Sequence, residues 1–207
     1  MGGLEGFRNR VQSALICEDN KSKLSLLSQT YLDGDYTMFF ILLILPSLLL
    51  NDNSALLNKK VPPYTMLVAS GPERGKLHCY VCEQSEKEGV IVFTKKMSDG
   101  LSKVAGVIEK QSKVSPDFKG WVTLISEDST QDAPLLKWAT EHNLVGTPVG
   151  RFEYNPGPPA YRLATDSLTE VFVFKAGKVL HTLKAKDEAE VEKLAAKLGD
   201  ILKKPKN

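Results

Sequence analysis

Cysteine is scarce here: the chain has three, Cys17 alone and Cys79 with Cys82. That is too few for a disulfide-built scaffold, and a chain of 207 residues is long enough not to need one. Charge of one sign is also lacking. A net charge of +2, with no basic stripe interleaved with aromatics, excludes nucleic acid as a partner. No Gly-rich phosphate loop, no paired catalytic carboxylates and no nucleophile elbow occur. The basic end Lys203-Lys204-Pro205-Lys206 reads as a solvated, frayed terminus.

Long hydrophobic runs are missing too, with one partial exception. Met38 to Leu50 is thirteen residues without charge, interrupted by Pro46. A helix of that length rises only about 20 Å against a hydrocarbon core of about 30 Å, so it is short for a spanning helix. Two readings stand. The run is the apolar core of an export signal or anchor whose true start is Met38, or it is a buried helix packed on the main domain of a cytoplasmic chain. The missing basic residues ahead of it and the poor cleavage site at Asn53-Ser54-Ala55 weigh against export. The abrupt turn to polar sequence at Asn51-Asp52-Asn53 weighs for it. We expect an exported, periplasmic or membrane-associated protein, touching a membrane only through residues 38–50. Ahead of that run, residues 4–17 have the spacing of a short amphipathic helix. Residues 1–63 thus read as an N-terminal extension closed by Pro62-Pro63, and 64–207 as the compact domain.

Within that domain, Val90-Ile91-Val92-Phe93 is an apolar run of strand length, as expected for a strand buried on both faces. Ser98 is placed to cap a helix whose Leu101, Val104, Ala105 and Ile108 form one stripe. Pro116 and Gly120 end that unit. Trp121 to Ile125 is a second buried strand. A helix carrying Leu135, Trp138, Ala139 and His142 follows, with Gly146 closing it. Val149 to Tyr154 is a short strand, and Val171 to Leu183 a hairpin turning at Lys175-Ala176-Gly177-Lys178. Asp187 with Glu190 has the spacing of a capping box for a last helix with Val191, Leu194, Ala195, Leu198 and Ile201 on its apolar face. Strands alternating with helices call for an α/β fold: a mostly parallel central sheet with a C-terminal antiparallel hairpin and helices on both faces.

The densest chemistry lies in Gly75-Lys76-Leu77-His78-Cys79-Tyr80-Val81-Cys82. The cysteines at i and i+3 are close enough to form a disulfide, to bind a soft metal, or simply to be buried. His78, Lys76 and Arg74 favour thiolate while Glu83, Glu86 and Glu88 oppose it, so the charges nearly offset. That balance suggests a structural or slowly exchanging disulfide. His78, Cys79 and Cys82 also make three soft ligands for zinc or copper. Structural zinc wants four, and no spacing supports His181 as the fourth.

The element order, with Gly75-Lys76 ahead of Gly89–Phe93 and Gly146-Thr147-Pro148-Val149 leading to a further strand, resembles the thioredoxin superfamily in its redoxin and peroxiredoxin-like branch. The likeness covers roughly residues 70–202. The run Gly-Lys-x-x-Cys-Tyr-x-Cys also resembles a group of uncharacterised exported thioredoxin-like proteins. The resemblance implies thiol–disulfide chemistry with a protein thiol or disulfide partner, and a reactive Cys-x-x-Cys opening the helix after the first central strand. Here that turn is Thr94-Lys95-Lys96-Met97-Ser98-Asp99, without cysteine. The resemblance would place a peroxidatic thiol at Met97, whose thioether cannot ionise, so peroxidase chemistry of that kind is excluded.

Cys79 and Cys82 are left as the candidate redox pair. The alternative is a non-enzymatic module, binding a partner or a metal, in which the pair is structural. The superfamily's cis-proline position falls at Leu168-Thr169 in the redoxin-style alignment, with Thr147-Pro148 as the other option. Lys95 and Lys96 form either a solvated turn or an anion site at the helix N-terminus. Cys17 reads as inert or removed, Trp121 and Trp138 as core, His142 as packed at its helix end and His181 as outward-facing on a strand.

Overall fold

Apolar runs bounded by turn residues become strands, and stripes of period 3.6 become helices. The computed structural model describes residues 55–84 and 86–203. Its elements run β1 (Met66–Ser70), β2 (Leu77–His78), α1 (Tyr80–Gln84), β3 (Glu88–Thr94), α2 (Asp99–Val114), β4 (Phe118–Ile125), α3 (Asp132–Glu141), β5 (Val149–Phe152), β6 (Thr169–Lys175), β7 (Lys178–Ala185) and α4 (Glu188–Lys203). The short 4–17 helix and the 38–50 run lie outside the described residues.

The strands form one sheet in the order β2-β1-β5-β4-β3-β6-β7. Only β3–β4 and β4–β5 pair in parallel; the other pairings are antiparallel. The α/β class holds, with one correction of detail: the sheet is mixed, with a parallel trio at its centre. The departure comes from β1, whose direction is set by its hairpin partner β2 and which pairs antiparallel with β5 on the flank of the trio.

The two faces are covered unequally. Leu101, Val104 and Ile108 of α2, Leu135 and Ala139 of α3, and Val191, Leu194 and Leu198 of α4 all join one core with Val90, Val92 and Val122. Both parallel crossovers step the same way along the sheet, so crossovers of one hand put α2 and α3 on one face. The opposite core is aromatic: Tyr80, Phe93, Trp121, Tyr161, Phe172 and Phe174. It is closed by α1, by a 3₁₀ turn at Pro159–Tyr161 and by the chain around Leu56 and Val61. Leu57 bridges Val179, and the Tyr161 hydroxyl donates to the Pro62 carbonyl at 2.7 Å.

Gly120 lies inside β4 rather than ending a unit, because Ile108 of α2 occupies the space where its Cβ would stand. Likewise α3 is capped at His142, and Gly146 falls beyond it with its N–H donating to the buried Glu109 carboxylate at 2.9 Å. Half of the capping box is present: Glu190 N–H donates to Asp187 Oδ1 at 2.9 Å, while the Glu190 carboxylate reaches one residue further back and accepts from Lys186 N–H at 2.8 Å.

Candidate redox site

Two glycines at positive φ, Gly71 and Gly75, turn β1 back into β2. β2 is only two residues long and forms one edge of the sheet. The chain leaves it through Cys79 into the five-residue α1. A helix this short does not hold itself together. It is anchored by Tyr80 and Val81, both buried, with the Tyr80 ring 5.5 Å from Trp121 and 4.4 Å from His78.

Tyr80 and Val81 turn into the aromatic core, and the flanking cysteines meet beside them. Cys79 and Cys82 form a disulfide, with Cα atoms 5.4 Å apart. Their surroundings differ. Cys79 is half-buried and packs against the aromatic core, whereas Cys82 is exposed. The Cys82 N–H donates to Cys79 Sγ at 3.2 Å. His78 Nε2 lies 3.1 Å from Glu83 Oε1, so the imidazole faces a carboxylate one residue beyond Cys82.

Among the described residues no group of three or more His, Cys, Asp and Glu side chains is arranged to hold a metal ion. His181 is exposed on β7, at the sheet edge opposite the one His78 occupies.

The mouth of α2, where the superfamily resemblance places a reactive thiol, is closed by this chain's own groups. Ser98 Oγ accepts from Leu101 N–H at 3.2 Å. Gly100 N–H donates to Glu188 Oε1 at 3.0 Å, so a carboxylate from α4 occupies the positive end of the helix. Thr94 Oγ1 lies 2.8 Å from the Lys96 carbonyl and 3.0 Å from Thr169 Oγ1, tying the end of β3 to the start of β6. Lys95 Nζ donates to the carbonyls of Ala164 at 3.1 Å and Thr165 at 2.7 Å. Its ammonium serves the preceding loop and does not stand free to bind an anion. Met97 is half-buried and packs against the helix-side core.

Leu168-Thr169 stands at the entry to β6, Thr169 being the first residue of the strand, and holds no proline. The cis peptide among the described residues is Asn155-Pro156, not Thr147-Pro148. Trp121 is core; Trp138 is partly buried, its ring 5.1 Å from that of His142. Sequence reasoning had no route to Glu188 as the occupant of the helix mouth, because its partner lies 88 positions earlier in the chain. The Thr94–Thr169 contact, across 75 positions, was equally out of reach.

No family model matches the chain, and no curated protein matches it. Its likeness to solved structures is clear at the level of fold. A Chlorobium tepidum protein provisionally described as the thiol:disulfide interchange protein DsbE superposes with a TM-score of 0.51 at 15% identity, over 70% of this chain and 97% of that one. The peroxidoxin BcpB from Mycobacterium tuberculosis gives 0.50 at 17% identity, over 70% and 97%. A thiol:disulfide interchange protein from Bacteroides sp. gives 0.50 at 12% identity, over 74% and 95%.

Proposed function

We propose that this chain, which has the thioredoxin fold, exchanges thiols and disulfides through Cys79 and Cys82, a pair set on the lead-in to β3 instead of at the mouth of α2. The observation that carries the reading is a disulfide of which one residue, Cys82, is exposed to solvent. Exchange requires a thiolate to reach one sulfur along the S–S axis, and Cys82 offers that access. The solved structures of like fold include proteins described as thiol:disulfide interchange proteins, which supports the chemistry without fixing the residues. The partner is a protein thiol or disulfide.

The rate is slow by the standard of this chemistry. The helix that begins at Tyr80 has five residues, and the long helix that would acidify a thiol begins elsewhere, with its N-terminus already occupied by Ser98 and Glu188. Export through the 38–50 segment fits a protein that works as a disulfide. Among the described residues no helix is long and apolar enough to cross a membrane.

The test is a redox titration of the folded protein in dithiothreitol buffers, with thiols counted by alkylation and mass. Reversible opening of the pair, with Cys17 tracked separately, is the expected result. A pair that opens only on unfolding contradicts the reading.

A second reading is favoured by the burial of Tyr80 and Val81 between the cysteines. In it the disulfide is structural and clips α1 to the core, and the chain is a non-enzymatic partner-binding module. Zinc or copper binding by His78, Cys79 and Cys82 belongs to the reduced state, because a disulfide offers no thiolate. Elemental analysis of the reduced protein separates these versions.

A further inference from the structure

We infer that exchange at this pair is polarised: the partner's thiolate attacks Cys82 Sγ, and Cys79 departs as the thiolate. The inference rests on the exchange reading above and assigns each sulfur its part.

Three observations point the same way. Cys82 is exposed while Cys79 is half-buried against the aromatic core, so the approach of a protein partner is open at Cys82 and obstructed at Cys79. The Cys82 N–H already points at Cys79 Sγ at 3.2 Å. That contact strengthens when Cys79 carries negative charge, and it favours Cys79 as the leaving sulfur. Finally, Glu83 directly follows Cys82 and is exposed, which disfavours a second negative charge on Cys82.

A partner thiolate forms a sulfur–sulfur bond to Cys82, and the Cys79–Cys82 bond breaks with its electron pair going to Cys79, which takes a proton from water. A second thiol on the same partner, as its thiolate, then attacks the partner sulfur of the mixed disulfide and releases the Cys82 thiolate. The partner dithiol is oxidised by two electrons and the pair is reduced by two. In the reverse direction Cys82 attacks the partner's disulfide and Cys79 resolves the mixed disulfide.

The test treats the oxidised full chain with reduced glutathione, quenches it with N-ethylmaleimide, and sequences the peptide holding both cysteines by fragmentation. Glutathione on Cys82 with maleimide on Cys79, in about tenfold excess over the reverse, is the expected pattern. An even split, or glutathione on Cys79, overturns the polarity. If the folded wild-type chain yields neither adduct, the exchange reading itself fails. That outcome differs from glutathione found on the wrong sulfur. The measurement needs no substitution, so it does not depend on a variant folding.

Discussion

Glu188 Oε1 accepts a hydrogen bond from the Gly100 N–H at 3.0 Å, which places a carboxylate of α4 on the first turn of α2. In this fold the same turn is where a thiolate gains stability from free N–H groups. Here one of those groups is already spoken for, and Ser98 takes another. Thiol chemistry is thus excluded from the mouth twice over, by Met97 in place of a cysteine and by an internal anion at the helix end.

The first prediction follows from that contact. Glu188→Ala leaves the buried Gly100 N–H without its acceptor and removes a charge from the helix terminus. It costs about 1 kcal/mol, a fall of about 2–4 °C in melting temperature for a chain of this size. Glu188→Gln keeps an acceptor oxygen and loses less. Thermal melts of both variants check the order; a Gln variant as unstable as the Ala variant would show that charge, not the hydrogen bond, carries the contact.

Two strand glycines are fixed by close approach. A Cβ on Gly89 would stand 2.6 Å from the Lys119 carbonyl and 2.4 Å from the Phe174 ring, and one on Gly120 would stand 2.4 Å from Ile108 Cγ2. A carbonyl in a sheet cannot yield as a side-chain methyl can. Both Gly→Ala variants lose stability, about 1–3 kcal/mol for Gly120→Ala and more for Gly89→Ala. Urea midpoints read the order directly.

At the β6–β7 turn, Ala176 has φ 47° and Gly177 φ 75°. This is a two-residue hairpin turn that asks for left-handed residues at both positions, and alanine is strained there. Ala176 is exposed. Ala176→Asn therefore stabilises the chain by about 0.5–1 kcal/mol, seen as a rise of about 1–4 °C in melting temperature.

Much of this fold is legible in the residues themselves. The run Val90 to Phe93, the stripe from Leu101 to Ile108 and the Asp187–Glu190 cap are local patterns, and local patterns survive folding because their partners are a few residues away. The direction of β1 is not local, nor is the reason Gly120 sits inside a strand; both are set by neighbours that only the folded sheet supplies. The cysteine pair was legible as a pair. Its asymmetry was not, because the burial of Cys79 comes from a core assembled from distant strands.

Alkaline stability follows from three tyrosines. Burial pushes the phenols of Tyr64, Tyr80 and Tyr161 up, with Tyr80 raised to about 12. Below pH about 10 both folded and unfolded chains keep these phenols neutral and the contribution is complete. Above it the unfolded chain ionises first, so stability falls as pH rises through the folded value. Urea midpoints that drop steeply between pH about 10 and 12 are expected. A flat profile there would mean that these hydroxyls are open to water.

The account stands or falls on whether Cys79 and Cys82 carry electrons. The most direct measurement is turnover of a small disulfide substrate with dithiothreitol as reductant, comparing wild type with Cys79→Ser and Cys82→Ser. The account predicts slow turnover above the uncatalysed rate for wild type, lowered in both variants. Wild-type turnover no faster than that of the serine variants would contradict it and leave the pair a structural clip.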